Sequence, residues 1–319
     1  MQHHHKSKKM KKSFSLILIA MLAILSGCEE GNDPQQDRFW SYMESPTNNT
    51  LYDVHFTGEN QGWIAGTNTI LKTSDGLIWE NTGVQDEHSY DFESVYFFDS
   101  NNGLVSGLKN NSEAIVLYTR NGGTSWNSAE VPQSEYAVSD LSFSDDLLGY
   151  ALSGQKLLKT TDGGRNWSIQ KNFDEELFAL DVSGNNIWVG SQSIRYSSDG
   201  GENWITLEES FDGLRIDALK FTDDQHGFAG TSFGEGQVYQ TTDGGNSWSM
   251  VYSGGQFITD IEKGDEIWAA DADQLISSNN GSEWSMEPFE GEYYLNAIAF
   301  PTSKRGYAVG YNGAILKYE

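Results

Sequence analysis

Any chemistry in this chain would have to be built mainly from carboxylates. There are 46 Asp and Glu against 20 Lys and Arg, with six His and one Cys, for a formal charge of −26. Two carboxyl groups flanking one glycosidic bond could hydrolyse it with retention or inversion. Acids are spread along the whole sequence, however, and no pair stands apart from the rest. A zinc-type site needs His, Cys or carboxylate ligands at short characteristic spacings. His55, His88 and His226 stand far apart and show none. Cys28 is the single cysteine, so there is no second thiol for a disulfide. No Gly-rich loop joins a strand to a helix in the way that phosphate and dinucleotide sites require. The residues therefore assign no catalytic group, no metal ligand and no cofactor.

The acids have a second use. Thr160-Thr161-Asp162-Gly163-Gly164-Arg165-Asn166-Trp167 recurs as Ser197–Trp204 around Asp199 and as Thr241–Trp248 around Asp243. Looser copies run from Thr119 to Trp126 with Asn121 in the Asp place, and from Ser277 to Trp284 with Asn279 there. A copy shortened by one residue runs from Thr73 to Trp79 around Asp75. An Asp or Asn side chain that accepts from the N–H groups just ahead of it holds a tight turn. The glycines supply the positive φ that such turns need. The Ser or Thr ends one strand, and the Trp is expected to open the next and bury its ring.

Between these boxes come short β-rich runs bounded by Gly, Asn and Asp, each reading as a strand. Asp53–Phe56, Gly62–Gly66 and Thr69–Thr73, followed by the run at Trp79, make one four-stranded antiparallel blade, A to D. The pattern repeats seven times, and the seventh copy ends at its C strand, Ala314–Tyr318. Phe39-Trp40-Ser41-Tyr42-Met43-Glu44 resembles Asn166–Lys171 and supplies the missing D strand. The expected fold is an all-β, seven-bladed propeller over residues 38–319, closed by its N-terminal strand, with no long free sheet edge. The B-strand aromatics Trp63, Tyr150, Trp188, Phe228, Trp268 and Tyr307 are expected to pack between blades.

The boxes resemble the Asp-box, or bacterial neuraminidase repeat, of β-propellers. The whole of residues 38–319 resembles the photosystem II stability/assembly-factor type of propeller and related bacterial lipoproteins. This resemblance implies that the box residues, Asp75, Asn121, Asp162, Asp199, Asp243 and Asn279 with Trp79, Trp126, Trp167, Trp204, Trp248 and Trp284, are structural rather than catalytic. In the photosynthetic members a basic patch engages a membrane-protein client. This chain is acidic, so that role is not carried over. Sialidases of the same repeat type converge three arginines on their substrate. The six here are Arg38, Arg120, Arg165, Arg195, Arg215 and Arg305, of which only Arg215 falls in a ligand-face loop, so that triad cannot assemble.

The N-terminus carries targeting information. Lys6, Lys8, Lys9, Lys11 and Lys12 precede an apolar run from Phe14 to Leu25, of signal-peptide length and short for a membrane span. Leu25-Ser26-Gly27-Cys28 looks like a bacterial lipobox, with Cys28 as the lipidated residue. Residues 1–28 read as a lipoprotein signal peptide and 29–37 as an acidic tether. The expected location is the cell envelope, lipid-anchored to the outer membrane on its periplasmic or surface-exposed side. Without the leader the chain has 15 basic and 46 acidic residues, a balance of −31, which repels nucleic acid and anionic lipid heads.

In this topology the A–B turns and the boxes share one face, and the D–A and B–C loops share the other. The D–A loops carry many acids, among them Asp174, Glu175, Glu176, Glu209, Asp212, Glu290 and Glu292, with interspersed aromatics. Tyr136, Asp174, Glu175, Glu176, Tyr293 and Tyr294 form the candidate binding rim. An exposed rim of acids and aromatics is an interaction surface. The reading is therefore a monomeric, non-catalytic propeller that scaffolds a protein or glycan partner, touches no nucleic acid, and meets a membrane through its lipid anchor only. The alternative is a glycoside hydrolase of the Asp-box propeller kind acting on a polysaccharide, distinct from a typical sialidase.

Overall fold

The computed structural model describes residues 39–319 except 85, 209, 210, 212, 233, 235, 290 and 292, and the side chain of Glu208. The leader, Cys28, the tether and Arg38 lie outside the described residues, as do Glu209, Asp212, Glu290 and Glu292 of the loops. Seven four-stranded sheets follow one another. In blade 1 the order is Leu51–Phe56 (A), Gly62–Gly66 (B), Thr69–Thr73 (C) and Glu80–Asn81 (D). The other A strands are Tyr90–Phe97, Asp140–Phe143, Ala179–Ser183, Arg215–Phe221, Ile258–Lys263 and Leu295–Thr302. Every neighbouring pair in blade 1 is antiparallel, because turns join consecutive strands.

Blade 7 takes its fourth strand from the other end of the chain. Trp40–Tyr42 pairs with Ile315–Tyr318, in the register Trp40 with Tyr318 and Tyr42 with Leu316. Met43 N–H extends the ladder to the carbonyl of Ile315, at 2.9 Å. Trp40 is buried against Trp268, Phe300 and Tyr318.

The B strands are the most buried: Gly62–Gly66, Gly149–Ser153 and Ile267–Asp271 are buried at every position. A strand covered on both faces reads as a continuous apolar run, as these do. Their aromatics pack against the next blade. The Trp63 ring lies 3.6 Å from that of Phe97, and Trp188 lies 4.0 Å from Phe221, both stacked.

Three sequence expectations are corrected. The box Trp does not open strand D: Ser168–Asn172 starts after Trp167, whose N–H bonds the carbonyl of Glu130 in the preceding D–A loop. In blade 3 that bond ties the Trp167 backbone to the loop instead of to its own ladder. Tyr90 and Phe92, expected among the aromatics of the first D–A loop, instead lie buried in strand A of blade 2. Arg215 likewise begins strand A of blade 5 and is not part of a loop.

Candidate functional site

The A strands line a central channel of about 460 Å³. Their inward side chains are polar, and most of them reach the next blade. Asp53 accepts from Val95 N–H at 2.8 Å and from the Ser94 hydroxyl at 3.0 Å. Asp140 accepts from Leu180 N–H at 3.0 Å, Asp181 from Phe221 N–H at 2.7 Å, and Asp260 from Ile298 N–H at 2.8 Å. His55 Nε2 donates to the carbonyl of Phe97 at 3.0 Å, and Asn296 Nδ2 donates to the carbonyl of Leu51 at 2.7 Å. The innermost strands of neighbouring blades diverge from a common axis and form no ladder with each other. These side chains bond the backbone groups that such a ladder would otherwise have satisfied.

Electrostatics follow from burial. Burial pushes Asp260 up to about 7, with Glu262 adding to it, and pushes Asp181 up to about 6. Burial raises Asp53, and it raises Asp140 well above the usual carboxylate range with the charge of Asp53 adding to it. Burial lowers His55 to about 4 and keeps it neutral. Lys220 is the one cation among the described residues lining the channel, and its Nζ lies 2.6 Å from Glu262 Oε2. Burial alone would lower Lys220, but Glu262 and Asp181 outweigh it and raise it. Among the described residues, no group of three or more His, Cys, Asp or Glu is arranged to hold a metal ion.

One mouth of the channel lies on the D–A and B–C face, where the A strands begin. Arg215 pairs with Asp217 at 2.6 Å and lies 4.1 Å over the ring of Phe178. Tyr52 accepts from the Thr67 hydroxyl at 3.4 Å. Tyr294 and Tyr311 meet edge to face at 6.0 Å and are 52% and 48% exposed. Burial, with help from Asp91, pushes Glu93 up to about 7.

The rim residues do not form one strip. Tyr136 is exposed in the loop between blades 2 and 3, its carbonyl accepting from Ser153 Oγ at 3.0 Å. Asp174 and Glu175, in the next loop, both bind Arg195, at 3.4 and 2.6 Å. Glu176 beside them is exposed. Tyr293 stacks on Tyr42 at 5.7 Å and packs on the core of blades 6 and 7, while Tyr294 points to Tyr311. The expectation of an aromatic-acidic rim is thus corrected in part: Tyr293 is packing, and two of the three loop acids are tied to an arginine. The channel carboxylates were missed. Their signal is a polar residue next to an apolar one within an innermost strand, as in Asp53-Val54, Asp140-Leu141, Asp181-Val182 and Asp260-Ile261.

On the opposite face each box turn is held by its own side chains. Asp162 Oδ1 accepts from the N–H groups of Arg165 and Asn166, at 3.1 and 3.0 Å, and Thr160 Oγ1 accepts from Gly164 N–H at 3.0 Å. Backbone bonds, first that from Asn203, lower Asp199 to about 2. The box of blade 6 is corrected by one residue. Asn280, not Asn279, accepts from Ser282 and Glu283 N–H, at 2.9 and 3.0 Å, and Ser278 Oγ accepts from Gly281 N–H. This is the short form, matching Thr73-Ser74-Asp75-Gly76.

The model of the family described as photosynthesis system II assembly factor YCF48 matches residues 33–134 and 127–256. The chain belongs to this family. The photosystem II assembly lipoprotein Ycf48 of Trichormus variabilis is 26% identical over 98% of this chain and 95% of its own. The chloroplastic photosystem II stability/assembly factor HCF136 of Arabidopsis thaliana is 24% identical over 84% of this chain and 75% of its own. A solved structure described as YCF48 bound to D1 peptide superposes with a TM-score of 0.71 at 22% identity, covering 88% of this chain and 96% of that one. At that identity the structural match speaks to the fold. The comparison overturns the outer-membrane placement read from the leader. The YCF48-type relatives named above are photosystem II assembly factors of a cyanobacterium and a chloroplast, not outer-membrane lipoproteins.

Proposed function

We propose that this chain is a non-catalytic lipoprotein propeller, lipidated at Cys28, that acts as an assembly factor by holding an extended segment of a client protein at the D–A and B–C face. The observation that carries this reading is the half-exposed Tyr294–Tyr311 pair at the channel mouth, within a family whose named members are assembly factors. Tyr52, Asp91 and Glu93 lie close by: Asp91 and Glu93 raise the Tyr52 hydroxyl further, as does Tyr311. Rings beside carboxylates favour an extended segment carrying cationic and apolar side chains, since ring faces attract ammonium and guanidinium groups. The naming of one relative as bound to a D1 peptide supports a peptide as the kind of ligand. The boxes, on the far face, are proposed to be structural.

The test is titration of residues 29–319 with a library of extended peptides at low and high salt. Tyr294→Ala and Tyr311→Ala are expected to weaken binding at least about tenfold, roughly 1.4 kcal/mol, with unchanged melting temperature. Rising salt is expected to weaken it as well, because exposed charge pairs are screened beyond about 10 Å at 0.1 M salt. Salt-insensitive binding of a neutral polysaccharide would replace the client by a glycan. Turnover of a glycoside, lost on changing one channel-mouth carboxylate, would overturn the non-catalytic reading.

A further inference from the structure

Blades 2 to 6 place two polar, exposed residues before the box Trp: Thr124-Ser125, Arg165-Asn166, Glu202-Asn203, Asn246-Ser247 and Ser282-Glu283. Blade 1 places Leu77 and Ile78 there, 57% and 66% exposed. Their N–H groups both donate to Asp75 Oδ1, at 2.8 and 2.9 Å, so the tip is held in one shape with both aliphatic chains in water. The fold does not demand this, since the short box of blade 6 keeps the same turn with Ser282-Glu283.

The tip lies on the face on which the described chain begins. Trp40 pairs with Tyr318, the end of a C strand, and C strands end on the box face. The described chain therefore begins on that face, in the blade next to blade 1, with Phe39 61% exposed. The Tyr307 hydroxyl of blade 7 bonds the carbonyl of Gly76, which joins the two blades at the base of the tip. The eleven residue steps from Cys28 to Phe39 span at most about 40 Å when fully extended.

We propose that Leu77 and Ile78 form a lipid-contacting finger that enters the interfacial layer of the bilayer carrying the Cys28 lipid, turning the box face to the membrane and the channel mouth away from it. This rests on the lipidation of Cys28 in the reading above and goes beyond it. The occupant is a lipid surface of neutral headgroups: the tip is apolar, and Asp75 and Glu80 beside it in sequence, with a mature balance of −31, disfavour an anionic one. The orientation leaves the Tyr294–Tyr311 mouth open to a client.

The test uses the full lipidated chain in phosphatidylcholine vesicles, with a polarity-sensitive fluorophore on Leu77→Cys or, for comparison, on the equivalent Arg165→Cys. The expected result is blue-shifted emission at position 77, strongly quenched by a lipid-borne quencher, with position 165 unchanged. Incorporation of labelled fatty acid at Cys28 is read in the same sample. Lipid on Cys28 with position 77 as wet as position 165 would overturn the finger alone. Absence of lipid on Cys28 would overturn the anchor and the orientation together. A blue shift that appears without vesicles and grows with protein concentration would show that a second copy covers the tip, and would also overturn the proposal.

Discussion

The carboxylate of Asp260 accepts one bond from Ile261 N–H in its own strand and one from Ile298 N–H in the next blade, each at 2.8 Å. Burial pushes it up to about 7, so the folded state holds its proton more tightly than the unfolded chain does. A raised acid contributes stability that is fully present below the ordinary carboxylate range, near 4, and is lost as pH rises through 7. Glu93, at about 7, and Asp181, at about 6, act in the same direction. His55, lowered to about 4, acts oppositely: its contribution is present above about 6.5 and is lost as pH falls towards 4. Asp199, at about 2, is ionised in the folded and the unfolded chain above about pH 5 and adds no slope between pH 5 and pH 8. These three raised carboxylates outnumber the one lowered histidine, so urea denaturation is expected to show lower stability at pH 8 than at pH 5. Each pH unit in the window is worth at most about 1.4 kcal/mol per group, reduced by channel water. Asp260→Asn should shrink the difference between the two pH values. An identical slope in that variant would mean that Asp260 titrates as it does in water.

The box and the B-strand aromatic of the preceding blade work as one joint. The hydroxyls of Tyr307 and Tyr150 donate to the carbonyls of Gly76 and Gly200, at 2.9 and 3.0 Å, and Trp63 Nε1 donates to that of Gly122 at 3.5 Å. Gly76 has φ of +69°, and a Cβ there would overlap the Tyr307 hydroxyl. Tyr307→Phe is expected to cost about 1 kcal/mol for the lost bond, and Gly76→Ala more, about 2 kcal/mol, from strain and overlap. The double variant should cost less than the sum, because Phe removes the atom that the new Cβ meets; additive costs in urea denaturation would separate the two residues. The boxes were legible in the sequence because their bonds close within four residues, as from Asp162 to Asn166. The joints were not, because Tyr150 and Gly200 are 50 positions apart and spacing carries no trace of the contact. The shift from Asn279 to Asn280 was hidden because two adjacent Asn fit the pattern equally well until the N–H groups of Ser282 and Glu283 choose one. The channel acids were hidden for a related reason. Alternation along Leu51–Phe56 separates two faces of a strand but does not say which one meets an axis shared with six other blades.

Closure of the ring is the property that belongs to the whole chain. Two seams meet near blade 7. One lies within it, where Ser41 Oγ donates to the carbonyl of Lys317 across 276 positions and Trp40 fills the space between Trp268 and Tyr318. The other joins blade 7 to blade 1, through Asn296 to the carbonyl of Leu51, Tyr307 to Gly76, and Arg305 to Asn60 at 2.8 Å. Loop closure over such a separation is unfavourable, but its entropy grows only with the logarithm of length, so one well-packed strand can offset it. That strand was legible because Phe39–Glu44 resembles Asn166–Lys171, the run that leads into strand D of blade 3, while the seventh repeat lacked such a run. Trp40→Ala is expected to cost about 3–5 kcal/mol, as for other buried Trp truncations. Removing residues 29–46 takes away the strand itself and leaves Ile315–Tyr318 as an open edge with the faces of Trp268 and Phe300 uncovered. The truncated chain should therefore melt at a clearly lower temperature and self-associate through that edge. Adding a peptide of residues 38–46 in trans should restore part of the lost stability. A melting curve unchanged by the truncation, or a peptide without effect on a destabilised truncation, would show that the ring does not depend on this strand.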